Sequence, residues 1–134
     1  MKQLTVVLIL FVMINSFTET KDEVSIIFYN NTSKDFRIFK ANILGKEFIF
    51  ENLKIGKQTD IVTVPRACRY CYALAITNTD TLLCQPDDYV GETVYTNGKI
   101  LMTISSYPQK ELEKNIFVSG TWDADRFISP KNYR

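Results

Sequence analysis

The sequence predicts an all-β fold, a single antiparallel β-sandwich of about seven to nine short strands behind an N-terminal signal peptide. Three observations point there. Past residue 18 the text is a series of short apolar or alternating runs rich in Ile, Val, Phe, Tyr and Thr. Turn residues interrupt these runs roughly every ten positions. Outside the leader, no stretch keeps a helical apolar period for more than about two turns, and 108–114 is the only candidate helix.

The leader comes first. Met1-Lys2-Gln3 is a short basic start, Val6 to Ile14 is unbroken apolar sequence, and Asn15-Ser16-Phe17-Thr18-Glu19 is mostly polar. That order is the one a secretory signal peptide needs, with cleavage expected after Thr18. Residues 1–18 are therefore read as signal and 19–134 as the sandwich domain. The weaker alternatives are a buried first strand and a retained membrane anchor. The run is short of the ~20 apolar residues that span a bilayer, so no stable membrane insertion is expected after cleavage. No cysteine follows it to carry a lipid. The mature chain is expected to be secreted or periplasmic.

The remaining chain supports one core, and its strands are expected near 24–30, 36–43, 46–51, 59–64, 68–77, 81–85, 90–96, 99–106 and 115–119. Three reversals set their register. A two-residue turn at Leu44-Gly45 pairs Ile43 with Lys46, Ala41 with Phe48 and Phe39 with Phe50. Asn97-Gly98 tolerates the positive φ of a type I′ turn, and would pair Tyr95 with Ile100 and Thr93 with Met102. Tyr95, Ile100, Met102 and Ile104 then share the core face. A turn at Asn78-Thr79 pairs Thr77 with Asp80 and Ala73 with Cys84. Around Gly56 the chain must reverse again, and Leu53 or Ile55 would plug the core from below. Short strands at this spacing suit an immunoglobulin-like β-sandwich better than a closed barrel.

Composition excludes much chemistry. The chain has no histidine, which removes Ser-His-Asp and Cys-His catalysis and histidine-ligated zinc, copper or haem. Its 16 basic and 15 acidic residues are interspersed, so no field attracts nucleic acid. The densest charged string, Lys110–Lys114, mixes both signs and reads as a solvated turn. No cofactor is expected.

The three cysteines stand at 68, 71 and 84. In a regular strand, Cys68 and Cys71 point to opposite faces, Cys71 with Ala73 and Ala75, and Cys68 with Tyr70, Tyr72 and Leu74. A redox Cys-x-x-C pair also wants a helix start, and a zinc site lacks its further ligands. Across the Asn78-Thr79 turn, Cys84 shares a face with Cys71, one diagonal step away. Cys71 and Cys84 are thus the disulfide candidates for an exported chain, ahead of Cys68 with Cys84 or no bridge at all, and Cys68 is the candidate unpaired thiol.

Asn30-Asn31-Thr32-Ser33 holds two overlapping N-x-[ST] sequences but reads best as a polar loop. Gln85 to Glu92 brings Asp87, Asp88, Tyr89 and Glu92 together, either as an ordinary Pro-Asp-Asp turn or as a binding loop. The lone Trp122 is a core residue or a binding-surface aromatic beside that loop. A carboxylate hydrolase would set Asp87, Asp88 or Glu92 against Asp123 or Asp125.

The strings from Leu44-Gly45-Lys46 to Val64, from Cys71 to Glu92, and Asn97-Gly98-Lys99 to Ser105 resemble small exported β-sandwich proteins of unknown function from Bacteroidota, and more distantly prealbumin-like sandwiches. The resemblance covers about residues 24–106, consists of turn and core positions, and implies fold and export with no functional residue carried over. The function expected is a non-enzymatic exported module that binds a protein or a surface glycan through loops or an exposed strand edge. The carboxylate hydrolase, and a secreted inhibitor or structural role, are the alternatives. The partner's identity and the oligomeric state stay open.

Overall fold

The computed structural model describes residues 22–86 and 92–123, which form eight strands in two four-stranded sheets. In chain order these are β1 (Val24–Asn30), β2 (Phe36–Ile43), β3 (Lys46–Leu53), β4 (Val62–Val64), β5 (Tyr72–Ile76), β6 (Thr81–Cys84), β7 (Gly98–Ser106) and β8 (Ile116–Asp123). A 3-10 turn at Lys110–Leu112 occupies the candidate helical stretch. One sheet runs β4-β1-β7-β8 and the other β3-β2-β5-β6. The chain is the expected β-sandwich, antiparallel throughout apart from the parallel pair β1 and β7.

Two tight turns act as the residues require. Leu44 and Gly45 both take positive φ, 47° and 93°, and the register of β2 on β3 is Ile43 with Lys46, Ala41 with Phe48 and Phe39 with Phe50. The β5–β6 hairpin likewise sets Ala73 opposite Cys84, with the Thr77 N–H bonded to the Asp80 carbonyl at 2.9 Å. Thr77 Oγ1 accepts from the Asp80 and Thr79 amides, which locks that turn. Register matters because a one-residue slip would turn Ala73, Ala75 and Leu82 out of the core.

The inner faces interdigitate around an aromatic cluster. Phe28 meets Phe39 edge-on with centroids 5.2 Å apart, and Phe39 stacks on Phe36 at 6.0 Å and on Phe50 at 6.2 Å. Ile26, Ile100, Met102, Ile104 and Val118 fill the space from β1, β7 and β8, and Ala41, Ala73, Ala75 and Leu82 from the other sheet. Each large side chain so buried contributes about 1.5–3 kcal/mol.

Two expectations are corrected, and two open readings are resolved. The 90–96 strand and its hairpin do not form across the described residues 92–96, because both edges of β7 are taken, by β1 and β8. Tyr95 instead exchanges two backbone hydrogen bonds with Ala67, at 2.8 and 2.9 Å. The face assignment survives, since Ile100, Met102 and Ile104 are fully buried and Tyr95 packs against them from the side. The 68–77 strand starts only at Tyr72, so strand alternation does not govern Cys68, which is buried instead of lying with the exposed Tyr70 and Tyr72. Of the two plug candidates, Leu53 is buried and Ile55 is half exposed. Of the two Asn-x-Ser/Thr asparagines, Asn30 is wholly buried, as detailed below.

The sandwich is closed along one side and open along the other. On the closed side, the Leu83 amide donates to the Lys114 carbonyl at 3.1 Å, which joins β6 to the start of β8. On the open side lie β3 and β4, the outer strands of their sheets.

Candidate functional site: the open edge of β3

Among the described residues, no strand pairs with the outer edge of β3. In the hairpin the closing pair Ile43 and Lys46 exchanges hydrogen bonds, so the alternate pairs at Phe48 and Phe50 do so too. Glu47, Ile49 and Glu51 therefore turn their N–H and C=O groups away from β2, toward the open edge. Their side chains point to the outer face of the sheet, and Ile49 is 56% exposed. Phe48 and Phe50 point the other way and pack against the core, with Lys46 Nζ 5.2 Å from the Phe48 ring centroid.

Facing this edge is the segment 57–60, strapped to β1. The Asn30 N–H donates to Lys57 O, the Thr59 N–H to Phe28 O, and the Phe28 N–H to Thr59 Oγ1, at 2.9, 2.9 and 3.1 Å. Asn30 is the hub that sets the distance between wall and edge. It is wholly buried; its Nδ2 donates to Lys34 O and Leu53 O at 2.9 and 3.1 Å, and its Oδ1 accepts from the Thr32 amide and hydroxyl. Its own carbonyl takes the Gly56 N–H at 2.9 Å. Positive φ at Asn52, 54°, and Gly56, 69°, lets the chain turn between edge and wall. Asp35 accepts the Ile55 N–H at 2.9 Å and pairs with Lys54 at 3.4 Å, and that amide, followed by Lys54, holds the carboxyl below its ordinary value.

Between edge and wall lies a cleft of about 600 Å³, lined by 49–53 and 57–60. Phe50 belongs to this lining and to the core cluster, 5.6 Å from the Phe28 centroid. Gln58 lines the cleft, and its Oε1 is buried with no hydrogen-bond partner among the described residues. On the outer face, the row Ile49, Lys40, Leu74, Leu83 crosses all four strands in register.

The residues singled out in the sequence sit elsewhere. Asp87, Asp88, Tyr89 and Asp125 lie outside the described residues, as does the leader. Glu92 lies near Cys68 and Arg66. Trp122, on β8, stacks on Tyr95 at 5.1 Å and donates Nε1–H to Asn97 O at 3.1 Å, which leaves it 38% exposed at the far side from β3. Neither Glu92 nor Trp122 lines the cleft.

All three cysteines are buried free thiols. Cys71 lies in the core with Ala73 and Ala75, and Cys84 Sγ is 3.5 Å from the Cys71 carbonyl oxygen. Burial pushes up the Cys71 thiol, and the Cys84 thiol adds to the shift. Burial also raises Cys84, partly offset by the Val118 backbone, and raises Cys68, where Glu92 adds and Arg66 opposes. Raised thiols are poor nucleophiles, so Cys68-Arg69-Tyr70-Cys71 has none of the activation a redox pair needs. Among the described residues, no group of three or more His, Cys, Asp or Glu could hold a metal ion.

The edge of β3 was not singled out from the sequence. Its signal was present in the alternation Glu47-Phe48-Ile49-Phe50-Glu51, which exposes an isoleucine between two carboxylates.

No family model and no curated protein matches this chain. Among solved structures, the NMR structure of a protein from Eubacterium rectale is similar to it, with a TM-score of 0.53 and 11% identity over 75% of this chain and 92% of that one. That likeness is one of fold, and it agrees with the β-sandwich described above.

Proposed function

We propose that this protein is a non-enzymatic exported interaction module that binds a protein partner by adding an extended segment to the open edge of β3. The carrying observation is the edge itself: three outward-facing backbone positions, Glu47, Ile49 and Glu51, beside a cleft of about 600 Å³. Edges are normally blunted by proline, bulges, a covering loop or charged side chains; β3 carries no proline, and two of its charges, Glu47 and Glu51, stand at the outward-facing positions themselves. The N-terminal run supports export, and in an oxidising compartment Cys71 and Cys84 are the pair to bridge, with Cys68 left as the buried thiol.

The test is a selection of displayed peptides on the purified protein, with binders mapped by backbone amide shifts. Binders are expected to move the amides of Glu47, Ile49 and Glu51. The substitution Ile49→Pro should abolish binding and spare the fold, because that N–H points away from β2. Binders that map only to other surfaces, or that bind Ile49→Pro unchanged, would overturn the reading.

A further inference from the structure

The edge also states what kind of strand fits it, an inference that rests on the edge-binding reading above. A strand added to β3 sets one residue opposite each of Glu47, Ile49 and Glu51, with side chains on the same outer face. Among the described residues neither glutamate is ion-paired. Lys40, the nearest cation by register, stands opposite Ile49 on β2, which leaves the outer side of both carboxylates to the incoming strand. Opposite charges at directly opposed positions stabilise a strand pair, and like charges destabilise it.

The same arithmetic disfavours a second copy of this chain. Two β3 strands run antiparallel about Ile49 would use every outward-facing residue of both. That register sets Glu47 against Glu51 of the other copy, twice. Shifting by two residues brings in either Gly45, whose φ of 93° belongs to a turn, or Leu53, which is buried with its carbonyl already taken by Asn30 Nδ2.

Inward-facing residues of the added strand would enter the cleft beside Phe50. A short β-branched side chain suits such a position, since its methyl packs on that ring.

We propose that β3 recognises an extended segment of a partner protein in which two basic residues flank an apolar one at alternate positions, Lys/Arg-x-Val/Ile-x-Lys/Arg. The pattern reads the same in both directions, so it holds for parallel and antiparallel addition alike. The net charge of the whole chain is only +1, so this local acidic edge acts without a strong competing global field.

The test uses two synthetic peptides, acetyl-TKTVTKT-amide and acetyl-TETVTET-amide, titrated into the purified protein while backbone amides are followed by NMR. The lysine peptide should shift the amides of Glu47, Ile49 and Glu51 and bind about tenfold or more tighter than the glutamate peptide. That preference should shrink as salt is raised. The double substitution E47K/E51K should reverse it, and both substitutions lie on the exposed face, where folding is little affected. Equal affinity for the two peptides at β3 would overturn the basic preference and leave the edge reading standing. No shift at these three amides with either peptide would overturn both. A concentration-dependent dimer that covers the same amides without peptide would overturn the inference in favour of self-pairing.

Discussion

The Gly120 amide donates to the Arg69 carbonyl at 2.6 Å, which ties the Cys68–Cys71 segment to the outer edge of β8. The segment is therefore a crossing strap. It leaves β4, meets Tyr95 through Ala67, clamps β8 and enters the second sheet at Tyr72. A Cβ at position 120 would stand 2.7 Å from Ile100 Cγ2 and 3.0 Å from both Arg69 Cα and Met102 Sδ. Gly120→Ala is expected to cost about 1–3 kcal/mol, since backbone on one side and packed core on the other leave little room to yield. Urea denaturation measures this, and an unchanged midpoint would contradict the strap.

Asn30 supplies the next prediction. Asn30→Ala removes two donors and one acceptor from a buried hub and leaves the Leu53 carbonyl and the Thr32 amide without their partners. The expected loss is about 2–3 kcal/mol. Asn30→Asp should cost more, because its carboxylate would face the carbonyls of Lys34 and Leu53. Amide exchange should rise first at 53–59, the wall of the cleft. Uniform exchange across the domain would argue against a local role.

The thiols give a chemical check. With all three buried and raised, iodoacetamide at pH 8 should label the reduced folded protein at least about a hundredfold more slowly than the urea-unfolded chain. Rapid labelling of Cys68 alone would show that its strap opens readily. After oxidative refolding, a non-reducing peptide map should link Cys71 with Cys84. A Cys68 linkage would refute that pairing.

Acid should weaken the fold through two aspartates. Asp80 is held below its ordinary value by Lys34 at 3.1 Å and by the Thr79 hydroxyl, and Asp35 by the Ile55 amide. A carboxyl whose folded pKa lies below its unfolded one adds stability that is complete above the unfolded value and lost as pH falls through the folded one. Stability from these groups should thus be flat above the usual carboxylate range and decline below it. Asp80→Asn should shallow that decline and leave the neutral-pH slope unchanged. A variant whose acid limb matches the parent's would remove Asp80 from the account.

How much was legible depends on how local each cause was. Ile43 with Lys46 and Ala73 with Cys84 followed from two-residue turns that fix register by arithmetic. Tyr95 did not, because its partner Ala67 is distant in sequence, and a tertiary pairing overrode the turn tendency of Asn97-Gly98. Cys68 was placed by strand alternation, yet it lies in a strap where alternation has no force. The alternation of β3 was readable, whereas its position at the rim depends on sheet order, which no local pattern encodes. For the same reason Trp122 read first as core, whereas β8 sets it on Tyr95 and leaves it partly exposed.

The parallel pairing of β1 with β7 has a kinetic meaning. β2–β3 and β5–β6 close on themselves through tight turns, whereas β1, the first of the described strands, gains 57–60 and β4 on one edge and finds its long parallel partner on the other only when Gly98–Ser106 has arrived. Such late, non-local closure is slow, and until it occurs β1 stays a waiting template open to other strands. A nascent chain halted before Gly98 would hold two hairpins and a β1 paired on one edge by 57–60 and β4 but bare on the other, a form open to aggregation through that edge.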